Sequence, residues 1–239
     1  MFCHEVGTDT LHVAAYRLRA WFIDLLLPRR CISCGAAADV LCEPCRSDVH
    51  LLSPPCCALC GAPTAWPVDR CRECAGRRLG FASARAAVAY AGPARALVHG
   101  WKEHGLRRVA SLAAELVVAQ IEQPAADVIT YIPPDRARQL RRGDHPSERL
   151  AGRLGRLWST DVAPLLARTR AGGRQTGLPR TARQANVRGA FVATEGVPAR
   201  VILVDDVYTT GATLSAAAGA LREAGASHVE VITFARAVR

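Results

Sequence analysis

VILVDDVYTTGATLS, residues 201–215, sets four consecutive apolar side chains ahead of two adjacent carboxylates and a turn of threonines around one glycine. The run Val201 to Val204 has no polar face, which fits a parallel strand covered on both sides. Asp205 and Asp206 then stand at its carboxyl end, where open α/β sheets bind ligands. The following turn, Thr209, Thr210, Gly211, Ala212 and Thr213, leads directly into a helical pattern. Free N–H groups and the positive end of a helix dipole attract phosphate there, and the threonines add hydroxyl donors. Two carboxylates beside a phosphate need a different target, and ribose hydroxyls or Mg²⁺ both qualify. A sugar 5-phosphate would place its phosphate in the threonine turn and its hydroxyls against the aspartates.

Outward from this stretch, the chain alternates strand and helix patterns from about residue 80 onward, the pattern of an α/β sheet. ARAAVAYA (84–91), DVITYIPP (127–134), RVILVDD (200–206) and HVEVITFARA (228–237) read as strands. Helical patterns cover GPARALVHGWKEHG (92–105), RVASLAAELVVAQIEQ (108–123), SERLAGRLGRLW (147–158) and ATLSAAAGALREAG (212–225). In the third helix Leu150, Leu154 and Leu157 are expected on one face.

Before residue 80 the pattern changes to four Cys-x-x-Cys pairs: Cys31/Cys34, Cys42/Cys45, Cys57/Cys60 and Cys71/Cys74. Such crowding suits either a secreted disulfide framework or metal sites, and no secretory signal opens the chain. A Cys-x-x-Cys turn points two thiolates at one tetrahedral ion, so two structural Zn²⁺ sites are expected. Each half runs from a CxxCG turn to a second pair, which predicts pairing in sequence order. A crossed arrangement, with the first and third pairs sharing a metal, also satisfies the spacing. Cys3 and Cys56 are left over. Four thiolates fill the coordination sphere, so the metal holds a shape and does no catalysis. The arginines of this module, Arg70, Arg72, Arg77 and Arg78, could touch nucleic acid or a partner, but read first as a solvated face.

The 239 residues accommodate one main fold and one small module. The formal charge of +10 favours anionic partners, nucleic acid or phosphorylated metabolites among them. Arginine supplies nearly all of it, Lys102 being the sole lysine. The early apolar segment LHVAAYRLRAWFIDLLLP is broken by Arg17, Arg19 and Asp24, so it reads as an amphipathic helix and not as a transmembrane span. A cytoplasmic location is expected.

VILVDDVYTTGAT resembles the motif by which type I phosphoribosyltransferases bind 5-phosphoribosyl-1-pyrophosphate (PRPP). Together with LLLPRRCISCG and the four cysteine pairs, it makes the chain resemble the ComF/GntX family. The resemblance spans essentially residues 21–239; with the pattern of the residues it divides the chain into an amphipathic helix over 1–28, a double zinc ribbon over 29–79, and a type I phosphoribosyltransferase domain over 80–239. It also implies that Asp205 and Asp206 bind ribose hydroxyls in Mg²⁺–PRPP and that Thr209 to Thr213 hold the 5-phosphate. YIPPDRARQLRRG resembles the family's pyrophosphate loop, with Asp135, Arg136 and Arg142 the matching positions. Residues 168–191 resemble its mobile loop and hood, with Arg174, Gln175, Arg183 and Asn186 in matching places. Where the family commonly has Arg-Gly-Phe-Asn-Gln, this chain reads RGDHPSE (142–148), so the aromatic and both amides are missing.

Two functions follow from the resemblance. One is phosphoribosyl transfer from Mg²⁺–PRPP to an acceptor, with release of pyrophosphate. The other is a non-catalytic protein that senses PRPP or binds single-stranded DNA, working with DNA-uptake machinery in natural competence. His145 stands in the altered segment as a loop histidine expected to face solvent. Lys102 is read equally as a phosphate contact or as a solvated helix end.

Overall fold

The computed structural model describes residues 29–134, 145–169 and 189–238. The amphipathic segment 1–28 lies outside them, as do Asp135, Arg136, Arg142, Arg174, Gln175, Arg183 and Asn186. In chain order the elements are α1 (Glu43–Ser47), β1 (Ser83–Ala89), α2 (Gly92–His104), α3 (Val109–Gln120), β2 (Val128–Tyr131), α4 (Pro146–Leu157), β3 (Leu166–Arg168), β4 (Phe191–Ala193), β5 (Arg200–Tyr208), α5 (Ala212–Glu223) and β6 (His228–Arg236). Among the described residues no helix is long and apolar enough to cross a membrane.

The four long strands form one parallel sheet in the order β1-β6-β5-β2. Its centre is β5, where Val201 to Val204 are all buried. Ile202 and Val204 pack with Leu97 and Trp101 of α2, Val117 of α3 and Leu150 of α4. Val201 and Leu203 pack on the opposite face with Leu214 and Leu221 of α5. A strand covered on both faces leaves room for no polar side chain, which explains the unbroken apolar run.

The helices form where their patterns require. Pro93 opens α2 at a position where its missing N–H costs nothing, and Leu97, Val98 and Trp101 line its buried face. In α4, Leu150 and Leu154 are buried, whereas Leu157 is 53% exposed and Trp158 takes the inward position. The sequence pattern did not reveal the antiparallel pair β3-β4, whose Leu166 and Phe191 join the second core cluster. Three residues per strand are too few to show a period.

The cysteine knuckles are built into this core and do not hang from it. Ile32, Val40 and Val49 of the first knuckle pack with the α2–α3–α4 face, and Cys57, Cys60 and Cys74 of the second pack with the α5 face. The linking segment runs along β1, the sheet edge. Leu52 N–H donates to the Ala87 carbonyl, Ala89 N–H to that of His50, and Ala84 N–H to that of Leu59. An edge strand with unpaired groups invites foreign pairing, and this segment covers it.

Truncating Leu154 to Ala should cost about 2 to 5 kcal/mol in urea unfolding, because a fully buried side chain leaves a cavity. The same change at exposed Leu157 should stay within about 0.5 kcal/mol.

Candidate functional site

At the upper end of β5 the sheet changes on one side only. β2 pairs in parallel through Tyr131 and Val204, and Ile132 N–H makes one more bond, to the Val204 carbonyl. Pro133 and Pro134 follow, and without N–H groups they cannot extend the ladder. On the other side β6 continues to pair through Tyr208 and Arg236. The aspartates therefore stand within the strand, three and two residues before its end at Tyr208, beside the place where β2 leaves. The sequence placed them at the strand end itself. The longer strand follows from the continued pairing with β6.

Asp205 is held by α4. Its Oδ1 accepts from the Ser147 hydroxyl at 2.7 Å and from the Asp206 N–H at 2.9 Å. Burial and the neighbouring Asp206 charge push its carboxyl up to about 7, against the pull of those two donors and of Lys102. Asp206 is buried and meets Lys102 Nζ of α2 at 2.7 Å. Lys102 does stand in the last turn of α2, but its head is not simply solvated: it pairs with an acid of the site.

His145 is not solvent-facing. It caps α4, where its Nδ1 accepts the Glu148 N–H at 3.2 Å, and its ring lies tilted on Tyr131 with centroids 5.8 Å apart. Burial lowers its pKa, outweighing the opposite pull of Glu148 and Asp206. With Nδ1 used as an acceptor, the neutral ring carries its proton on Nε2.

The turn after β5 is shaped by two close constraints. Gly211 has φ +72°, and a Cβ there would also run into the Tyr208 ring, so only glycine fits. Thr210 Oγ1 accepts the Ala212 N–H at 3.4 Å, at the first turn of α5. Thr209 is exposed, and Thr210, Ala212 and Thr213 are half-buried. Hydroxyls and a helix N-terminus thus meet at one open turn.

The sequence missed the residues that hold this turn from outside. Arg77, read as part of a solvated face, donates from Nη2 to the Thr210 carbonyl at 2.7 Å. Arg236 is 1% exposed and lies over the Tyr208 ring at 4.3 Å. Its Nη1 donates to the Cys60 carbonyl at 2.6 Å and its Nη2 to Glu73 Oε2 at 2.8 Å. An arginine ending an apolar strand was the available signal, since such a charge must find buried partners.

The eight paired cysteines form two groups, Cys31/Cys34/Cys42/Cys45 and Cys57/Cys60/Cys71/Cys74, in sequence order and not crossed. A tetrahedral zinc with Zn–S bonds of about 2.3 Å requires sulfurs about 3.8 Å apart. The separations are 3.5 Å for Cys34–Cys42, 3.6 Å for Cys57–Cys74, 3.5 Å for Cys60–Cys71 and 3.9 Å for Cys71–Cys74. The donor set and spacing fit two structural zinc ions. Cys56 belongs to neither group, and Cys3 is outside the described residues.

A concavity of about 740 Å³ lies between α3 and α4. Arg107, Arg108, Arg149, Arg153 and Arg156 line it, with Glu148 the one acid among the described lining residues. Arg108 also pairs with Asp39 of the first knuckle at 3.2 Å. Crowding by Arg107 and Arg153 adds to burial in lowering the pKa of Arg149.

An acid whose pKa is higher folded than unfolded binds more protons when folded. The stabilising contribution of Asp205 is therefore present below about pH 3.9 and lost as pH rises through about 7. Asp205→Asn should raise the melting temperature at pH 8, by roughly 2 to 4 °C per kcal/mol recovered, and by only about a third as much at pH 5. Thermal unfolding at the two pH values checks this. Metal analysis should find two zinc ions per chain, and Cys42→Ser should remove one of them.

Residues 22–75 match the double zinc ribbon domain family. The chain is 28% identical to competence protein F of Haemophilus influenzae over 224 residues, covering 87% of this chain and 97% of that protein. It is 29% identical to DNA utilization protein YhgH of Salmonella typhi over 189 residues, 73% of this chain and 81% of the relative. Among solved structures, the glutamine PRPP amidotransferase of B. subtilis in complex with ADP and GMP is 27% identical with a TM-score of 0.39. That match spans 53% of this chain and 26% of the amidotransferase. The chain is thus similar to the competence and DNA utilization proteins, and is a mixed α/β protein whose residues 22–75 match a double zinc ribbon.

Proposed function

We propose that this protein handles DNA, as the names of its relatives describe for them, binding a single strand along the arginine groove and a ribose phosphate such as PRPP at the β5–α5 turn. The observation that carries the reading is the continuity of the two sites through α4. Ser147 bonds Asp205, while Glu148 and Arg149, the next two residues, line the groove. Among the described lining residues, five arginines against one acid suit a phosphate backbone, whose binding releases counterions and needs no base contact. The turn offers hydroxyls and a helix N-terminus to a phosphate, and the aspartates offer acceptors to sugar hydroxyls.

Phosphoribosyl transfer is the second reading, favoured by the same order of two acids and a Thr/Gly turn on one central strand. In it, Asp205 and Asp206 would hold the ribose of Mg²⁺–PRPP, Thr209 to Thr213 its 5-phosphate, and Asp135, Arg136, Arg142, Arg174, Gln175 and Arg183 the pyrophosphate and lid. The Lys102–Asp206 pair and the loss of the aromatic and amides in RGDHPSE weigh toward binding without turnover.

Fluorescence anisotropy of a labelled single-stranded oligonucleotide, titrated across salt, tests the first reading. Wild type should bind at low salt and weaken steeply as salt rises. Arg149→Glu with Arg153→Glu should bind at least about tenfold more weakly, with a salt slope shallower by about 0.7 for each phosphate that is no longer neutralised. No binding at low salt, or equal binding by the double variant, would overturn it. Thermal unfolding with Mg²⁺–PRPP addresses the turn: saturation near 100 times Kd should stabilise by about 2.7 kcal/mol. That stabilisation should vanish in Asp205→Asn with Asp206→Asn.

A further inference from the structure

We infer that the second cysteine knuckle is a positioning element for the ligand turn, so that metal at Cys57, Cys60, Cys71 and Cys74 sets the conformation of residues 208–213. The knuckle touches the turn before, within and after its bend. Before it, Arg236 joins the Tyr208 ring to the carbonyl of Cys60 and the carboxylate of Glu73, which sits between ligands Cys71 and Cys74. Within it, Arg77 donates to Thr210 from Nη2 and to the Glu73 carbonyl from Nη1 at 3.3 Å. After it, the Gly80 N–H donates to Ser215 Oγ at 3.0 Å. At Gly80 a Cβ would overlap the Ser215 carbonyl, so knuckle and helix are in backbone contact.

Each link depends on the knuckle keeping its shape. Arg77 follows directly from the Cys71–Cys74 loop, with its own N–H on the Cys74 carbonyl at 3.1 Å. Residues 56–80 contain no helix and no named strand, so four metal–sulfur bonds are their main cross-link. Groups that surround metal ligands orient them, and the dependence also runs outward from the metal. The chemical effect on the turn follows from peptide planarity. Arg77 draws the Thr210 carbonyl toward the knuckle, so in a trans peptide the Gly211 N–H is turned to the opposite side. That orients a backbone donor of the turn without Arg77 touching the ligand.

The consequence for binding rests on the ribose-phosphate reading of the turn; the consequence for the turn itself does not. The experiment uses full-length zinc-loaded protein. Hydrogen exchange should be followed over residues 201–215 in wild type, Arg77→Ala and Arg77→Lys, with zinc content measured in each. Arg77→Ala should retain both zinc ions yet speed exchange at 209–213 by roughly tenfold or more, with 201–204 still protected. Arg77→Lys, which can still donate to the Thr210 carbonyl, should restore most of the protection. Withdrawing zinc with a chelator should give the same local loosening. By reciprocal linkage, saturating Mg²⁺–PRPP should raise the zinc affinity of wild type, read by chelator competition at equilibrium, but less so in Arg77→Ala. Unchanged exchange at 209–213 in zinc-loaded Arg77→Ala would overturn the inference. Loosened exchange with no Mg²⁺–PRPP binding to wild type would instead sink the ribose-phosphate reading and leave the positioning role standing.

Discussion

Strand β5 has two hydrogen-bonded neighbours up to Val204 and one beyond Ile132, and most of the site depends on that asymmetry. While both neighbours are present, every side chain of the strand is enclosed and must be apolar. When β2 leaves at Pro133, one side of the sheet opens and polar groups can be accommodated. The two aspartates stand at this transition, half-enclosed by α2 and α4, and the turn to α5 lies just past it. Pairing with β6 persists to Tyr208, which keeps the acids on a rigid strand and gives them a defined direction.

Charges near this opening each have a named partner on another element. Asp205 is met by Ser147 of α4, Asp206 by Lys102 of α2, and Arg236 by Glu73 and Cys60 of the second knuckle. Burying a charge is costly unless its remaining hydrogen-bonding capacity is used. Asp205 shows the residual cost as a carboxyl that ionises only near neutrality. Lys102 lies against Asp206, so the two acids do not stand as an uncompensated pair of charges.

The cysteine knuckles solve a different problem. The first packs on one face of the sheet, the second on the other, and the chain between them covers the β1 edge. A segment with so little regular structure could not hold these positions by its own core. Two four-thiolate clusters would supply the cross-links once zinc is bound, and the second knuckle also carries Arg77, which reaches the turn. At Gly61, whose φ is +67°, the CxxCG bend lies so close to Ala84 of β1 that no larger residue fits.

Much of this was legible in the residues themselves. Four apolar residues in a row mean a strand with two covered faces, Cys-x-x-Cys pairs with glycine mean bends that cluster thiols, and a Thr/Gly run after such a strand means a turn into a helix. These features are local: each is decided by the geometry of a few adjacent residues. The sequence left the order of the cysteine pairs open, although it favoured the one observed. It did not show that Ser147 binds Asp205, that Lys102 neutralises Asp206, or that His145 is a helix cap. Nor did it show that Arg77 reaches Thr210, 133 positions away. Such contacts depend on where separate elements meet, and an arginine or lysine looks the same in sequence whether its head lies in water or on a carbonyl. Only the packing of helices and knuckles on the sheet decides which, because the cost of burial is set by the partners that the tertiary structure brings within reach.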